Sequence, residues 1–227
     1  MGIIASLCPQ VLSAQDIYPS IEPKMEIEVD GIFERYDEFS GSAPAIARFS
    51  IDVSDLGNYT PHYEWRLFVA GNENNPFLVR YDETVDYTFR QSGTMYAKLY
   101  ASFVHNTDTV EYEQDVPFSL IISTSKLEVP NAFSPNGDGQ NDIFKVKEGY
   151  QSIISFKGYI YNRWGKCLFE WSDIDSGWDG TYRGTNVKEG VYFCLIKAKG
   201  ADGINYEIKR DVNLLRGVGD DASSSTE

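Results

Sequence analysis

The sequence predicts an all-β chain arranged as two tandem β-sandwich domains. Three observations carry that expectation. Short runs of alternating apolar and polar residues recur at intervals of roughly 10 to 20 residues, as half-buried strands do. No stretch sustains a helical period. Aromatic residues make up 14% of the chain, and 19 Gly and 9 Pro supply turns between strands. A length of 227 residues accommodates one large or two small domains, with 42% hydrophobic residues to fill their cores.

Residues 1–14, MGIIASLCPQVLSA, carry no charge, and Ser13-Ala14-Gln15 reads as a small-residue cleavage site. The segment is therefore expected to be the remnant of a signal peptide lacking its basic start, with Gln15 opening the mature chain. Cys8 follows Leu7, which is too large for the small residue a lipoprotein site needs. No other segment approaches the ~18 to 20 apolar residues of a spanning helix, so the mature chain is expected to be soluble.

Residues 15–126 form the first expected domain. MEIEVDGIF (Met25 to Phe33) alternates with Met25, Ile27 and Val29 on one face and Glu26, Glu28 and Asp30 on the other. ARFSIDVS (Ala47 to Ser54) repeats the device, and YEWRLFVAG (Tyr63 to Gly71) runs into the loop signal GNENNP. Asp86 to Phe103 reads as a short strand, a Ser-Gly turn and a longer strand. HNTDT turns the chain, and VEYEQDVPFSLII (Val110 to Ile122) completes the set. STSKL (Ser123 to Leu127), small and polar, reads as a hinge.

Residues 127–217 form the second expected domain, with strands in FKVKEG, ISFKGYIYNRWG, KCLFEW, GVYFCLIKAKG and NYEIKRDVNLLRG. Asp202-Gly203 is a hairpin signal between the last two. Residues 218–227 are polar, small and expected to be disordered.

The net charge of -14 is unevenly spread: residues 1–126 hold 19 acids and 8 bases, and residues 127–227 hold 15 and 12. A field of that sign repels phosphate backbones and argues against a nucleic-acid partner. Enzyme readings find little support. The histidines are His62 and His105, in or beside loops, and no nucleophile elbow, phosphate-binding Gly loop or paired-histidine metal motif occurs. Cys167 and Cys194 both fall in expected strands. They form a disulfide in an oxidising compartment, or they are two buried free thiols.

VPNAFSPNGDGQND (Val129 to Asp142) punctuates the chain: nine of its fourteen residues are Pro, Gly, Asn or Asp. Asn136, Asp138, Gln140 and Asp142 alternate there and offer oxygens to calcium. The EF-hand spacing fails, because with Gly139 as the turn glycine the last ligand position falls on Lys145. The alternative is an Asx-rich turn whose side chains bond main-chain amides.

That stretch is followed by YNRWGKCLFEW (Tyr161 to Trp171), WDGTYRG (Trp178 to Gly184), GVYFCLIK (Gly190 to Lys197) and VNLLRG (Val212 to Gly217). The ordered set resembles the gliding-motility-associated C-terminal domain, the type B sorting domain of bacterial type IX secretion. The resemblance assigns the defining pattern to Asn131, Phe133, Pro135, Asn136, Gly137, Asp138, Gly139, Asn141 and Asp142, and further on to Asn162, Arg163, Trp164, Gly165, Trp178, Asp179, Gly180, Gly190 and Tyr192. For Trp164 and Trp178 a role in the fold is expected, a large apolar surface beside a turn. TPHYEWRLF and SGTMYAKLYASF resemble a PKD-type immunoglobulin-like domain, in which a strand Trp packs in the core. Together the resemblances imply two tandem immunoglobulin-like β-sandwiches in a non-enzymatic protein exported through the periplasm to the outer membrane or cell surface. They imply the type IX translocon and an outer-membrane barrel as partners. One alternative is an accessory or signalling component of the secretion or gliding apparatus, retained at the outer membrane. Another is an adhesion or carbohydrate-binding module, for which Tyr63 and Trp65 are the candidate contacts, although immunoglobulin-like core packing accounts for both residues equally well.

Overall fold

The structure, a computed structural model, describes residues 18–216. The expected signal remnant with Cys8 and the expected tail lie outside the described residues. The chain is all-β, with strands in several sheets.

The first ten strands are β1 (Ser20–Val29), β2 (Ile32–Tyr36), β3 (Glu38–Gly41), β4 (Ala45–Ser54), β5 (Thr60–Val69), β6 (Leu78–Arg80), β7 (Val85–Phe89), β8 (Gly93–His105), β9 (Asp108–Glu113) and β10 (Phe118–Ile122). One sheet runs β2-β1-β4-β7. The other runs β3-β10-β8-β5-β6, with β9 also on β8. Alternation puts Met25, Ile27, Ala47 and Phe49 of the first sheet into the same core as Trp65, Leu67, Leu99 and Leu120 of the second. The two sheets therefore pack face to face. Trp65 is fully buried, its ring 5.5 Å from Phe49 and 6.4 Å from Phe118 between centroids. It packs in the core, as the PKD-type resemblance implies for the strand Trp, and is unavailable to a carbohydrate; Tyr63 packs against the same core.

Two runs expected as single strands are divided. Met25 to Phe33 is broken at Asp30 and Gly31, both at positive φ, and returns as the antiparallel β1–β2 hairpin with Phe33 opposite Glu28. Val110 to Ile122 is broken at Gln114, whose buried side chain accepts from Leu99 N (3.1 Å) and donates to Val116 O (2.8 Å). Gln114 thereby fills the gap in the β8 ladder between its partners β9 and β10.

The remaining strands are β11 (Ala132–Phe133), β12 (Phe144–Lys145), β13 (Ile153–Tyr161), β14 (Cys167–Trp171), β15 (Gly177–Trp178), β16 (Thr181–Tyr182), β17 (Thr185–Asn186), β18 (Gly190–Gly200) and β19 (Asn205–Leu214). A five-stranded sheet, β11-β19-β18-β13-β14, is joined by two short pairs, β12–β15 and β16–β17. Its inner face, with Ile160, Cys194, Ile196 and Val212, shares a core with Leu127, Val129, Phe144 and Trp178. The layer opposite the sheet is thus the β12–β15 pair and irregular chain, where a full second sheet was expected. The Pro, Gly and Asx residues of 129–142 do not sustain a ladder.

Ser123 to Leu127, read as a hinge, is pinned on both sides. Ser123 N donates to Gly41 O (2.9 Å), and the Ser123 and Ser152 hydroxyls lie 2.8 Å apart. Ser152, buried and at positive φ, also accepts from Ala43 N at 3.1 Å. Ser125 N donates to the Asp202 carboxylate (2.8 Å), and Lys126 and Gln151 exchange main-chain bonds. Ala201, at the turn between β18 and β19, enters the first core, and its carbonyl accepts from Ser92 N at 3.1 Å. Short polar residues make the segment look loose in sequence, and those same hydroxyls and amides fasten it.

Candidate functional site

The motifs of the C-terminal half converge at one end of the five-stranded sheet. Phe133 in β11 lies beside Leu214 in parallel register, its ring 5.3 Å from Trp178 and 5.8 Å from Phe144. Asn131 O accepts from Asn213 N (2.9 Å), which fastens the start of the motif to β19. Trp178 is fully buried, donates Nε1 to Thr181 O at 2.8 Å and meets Tyr192 edge-on at 5.0 Å. Tyr192 closes the cluster by donating to Lys188 O (2.6 Å). Asp179 accepts from Thr181 N at 2.9 Å, and Gly190 opens β18 opposite Leu214.

Arg216, outside the expected site, ties these pieces together. Its guanidinium donates to Gly180 O (2.8 Å) and Pro135 O (3.4 Å), and its main-chain N donates to Glu189. Gly180 sits at φ 79, and a Cβ there would lie 3.0 Å from both Arg216 Nη2 and Pro135 Cγ, so a side chain at this position is strained and crowds both neighbours. The signal was present in sequence, since VNLLRG contains this arginine, but its partners lie far off in the chain.

Residues 134–142 form a self-bonded loop. Asp142 accepts from Asn136 N (3.0 Å), Gly137 N (2.8 Å) and Gly139 N (2.8 Å). Asn136 accepts from Asp138 N, and Asp138 from Gln140 N. Ser134 N and Asn141 O close the base at 2.8 Å. The amides of Gly137 and Gly139, then that of Asn136, hold the Asp142 carboxyl below the usual carboxylate range. Of the four residues expected to offer oxygens to calcium, Asn136, Asp138 and Asp142 are thus engaged with main-chain amides. Among the described residues no group of three or more His, Cys, Asp or Glu is placed to hold a metal.

Trp164 departs from its expected role in the fold: it is 82% exposed. The β13–β14 hairpin turns at residues 162–166, where Asn162 Oδ1 accepts from both Trp164 N and Lys166 N at 3.0 Å. Gly165, at φ 77, donates to Asn162 O at 2.9 Å. The turn is set by Asn162 and Gly165, and Trp164 stands at its tip. Arg163 lies 5.6 Å from the Trp164 ring, while Lys166 and Arg183 flank Tyr182 at 4.5 and 5.4 Å. Between the hairpin and Tyr182 opens a cavity of about 340 Å³ that Lys188 also lines.

The disulfide alternative for Cys167 and Cys194 is corrected: both thiols are free. Cys167 on β14 faces Tyr161 and is exposed, whereas Cys194 on β18 faces Ile160 and is buried. β13 lies between them. Two strand spacings amount to about 9.6 Å, beyond the ~7 Å a disulfide spans. Burial pushes the Cys194 thiol up to about 12.

Fold and motif cluster together define a β-sheet protein whose C-terminal unit is organised around a shared set of turn and aromatic signatures. Residues 127–209, less than half of the chain, match the family described as CHU_C Type IX secretion signal domain. Such a signal implies interaction with the secretion machinery and export toward the outer membrane or cell surface. No curated protein matches the chain. Among solved structures, the chain is similar to the dimeric latent form of PorU from Porphyromonas gingivalis (13% identity, TM-score 0.29), over 88% of this chain and 20% of that one. It is also similar to BcpA, the major pilin subunit of Bacillus cereus (11%, TM-score 0.30, 88% and 69%), and to a marsupial T cell receptor (8%, TM-score 0.25, 86% and 73%). The chain spans a fifth of the length of PorU. At these TM-scores the likenesses do not bear on function.

Proposed function

We propose that this is a non-enzymatic, exported surface protein whose residues 127–216 address it to the type IX translocon and an outer-membrane barrel partner, with its first β-sandwich as an immunoglobulin-like spacer or binding module. The observation that carries the reading is the family match at 127–209, on a unit whose motif residues interlock through Trp178, Tyr192 and Arg216. Most of the motif thus builds the body that a receptor recognises, and recognition works on a folded surface. The fully buried Trp65 supports the PKD-like reading of the first unit. Deletion of residues 128–216 in the native cell is expected to leave the shortened chain in the periplasm. Surface-accessible shortened chain would refute the reading.

The Asx loop at 134–142 serves as a turn, with the side-chain oxygens of Asn136, Asp138 and Asp142 engaged by main-chain amides. Millimolar calcium is therefore expected to leave the melting temperature within about 1 °C of its calcium-free value, since a ligand that binds only the folded state raises it. A calcium-dependent rise of several degrees would reinstate the ion.

A further inference from the structure

We propose that the Trp164 hairpin is the docking element of the secretion signal and that it takes a protein partner presenting an apolar slot rimmed by carboxylates. The inference rests on the reading of residues 127–209 as a type IX signal and names the surface by which that signal is held.

Four observations lead to it. The chain has four Trp, and Trp65, Trp171 and Trp178 are at most 5% exposed while Trp164 is 82% exposed. A large ring left in water inside a defining motif is not explained by packing. Its presentation is rigid, because Asn162 Oδ1 fixes two amides of a tight turn and β13 and β14 anchor both ends. A pre-ordered Trp loses little conformational freedom on burial, and central Trp and Arg residues dominate binding energies.

Charge gives the partner's sign. Arg163, Lys166, Arg183 and Lys188 are all exposed around the hairpin, and among the described residues none of them pairs with a carboxylate. They form a basic patch on a chain with 34 acids and 20 bases. Such a patch attracts an acidic surface, and the rest of this protein repels it. The cavity of about 340 Å³ between Trp164 and Tyr182 receives an apolar side chain of the partner, while Trp164 enters the partner's slot.

The test uses the full chain in the native cell, comparing Trp164→Ala and the double variant Lys166→Glu/Lys188→Glu with the deletion of residues 128–216. Surface-exposed protein is measured by protease accessibility, and folding by the melting temperature of purified protein. Removing a central Trp weakens binding about 30-fold. Exported protein is therefore expected to fall at least about tenfold for both variants, with melting temperatures within about 2 °C of the parent. Normal export of both variants beside a retained deletion would overturn the docking site and leave the sorting reading intact. Export of the deletion would instead overturn the sorting reading. A lowered melting temperature for Trp164→Ala, matching its export loss, would make Trp164 a fold residue and overturn the proposal. Sedimentation of the purified chain with phosphatidylglycerol vesicles, abolished by Trp164→Ala, would overturn it in favour of a lipid surface.

Discussion

Trp178→Ala is expected to destabilise the C-terminal unit by about 3–5 kcal/mol, the range for truncating a fully buried Trp. The ring is at 0% exposure, with Phe133 at 5.3 Å on one side and Tyr192 at 5.0 Å on the other. Its strand β15 pairs only with the two residues of β12, so the layer facing the five-stranded sheet has little other cement. Truncation leaves a void between that layer and the sheet and strips Thr181 O of its donor. Such a loss is a large share of the roughly 5–15 kcal/mol that holds a domain folded. Trp178→Phe keeps much of the apolar contact and is expected to cost less, about 1–3 kcal/mol. Urea unfolding followed by near-UV circular dichroism measures both. A cost below about 1 kcal/mol for the alanine variant would show that the motif Trp is not the centre of this core. The contrast with Trp164 is physical: the two residues belong to neighbouring signatures, yet one is surrounded by rings and the other by water.

Much of this was legible in the chain, and the exceptions have identifiable causes. Strands announced themselves by alternation, and Asp202-Gly203 correctly marked the hairpin between β18 and β19. Asp30-Gly31 carries an equally strong turn signal, which the surrounding alternation masks. Met25, Ile27, Val29 and Phe33 all occupy odd positions, so the period-two pattern crosses the turn unbroken. Trp164 was legible in principle, since Asn162 and Gly165 bracket it as turn residues do, and a turn tip points its side chain to solvent. The thiol pairing was not legible. It depends on β13 lying between β14 and β18, a matter of strand order that two cysteines in apolar strands do not disclose. The fastened hinge was hidden for a related reason: Ala43 and Ser152 are 109 residues apart, and only the assembled fold brings them together.

Ser152→Ala tests that junction, and it is expected to lower stability by about 1–3 kcal/mol, the penalty for a buried donor deprived of its acceptor. The Ser152 hydroxyl is 1% exposed and accepts from Ala43 N at 3.1 Å. Alanine leaves that amide without its acceptor, and it also removes the partner of the Ser123 hydroxyl. Tyr150 and Ile153 beside it pack against the second core, whereas Ile154 and Ala43 belong with the first and Ser123 follows its last strand. A local effect would move one core's transition alone. A fastened junction makes each core part of the other's folded environment, so both transitions are expected to shift together. Trp65 lies in the first core, whereas Trp164, Trp171 and Trp178 all belong to the C-terminal unit, so the Trp65→Phe background reports the second unit and its difference from the parent reports the first. If Ser152→Ala moves only the transition of the second unit, the two units unfold independently and the segment at 123–127 acts as the hinge its composition suggests. If both midpoints fall, the secretion signal and the sandwich before it travel as one mechanically continuous body. A receptor holding the Trp164 hairpin would then also set the orientation in which the first unit is presented.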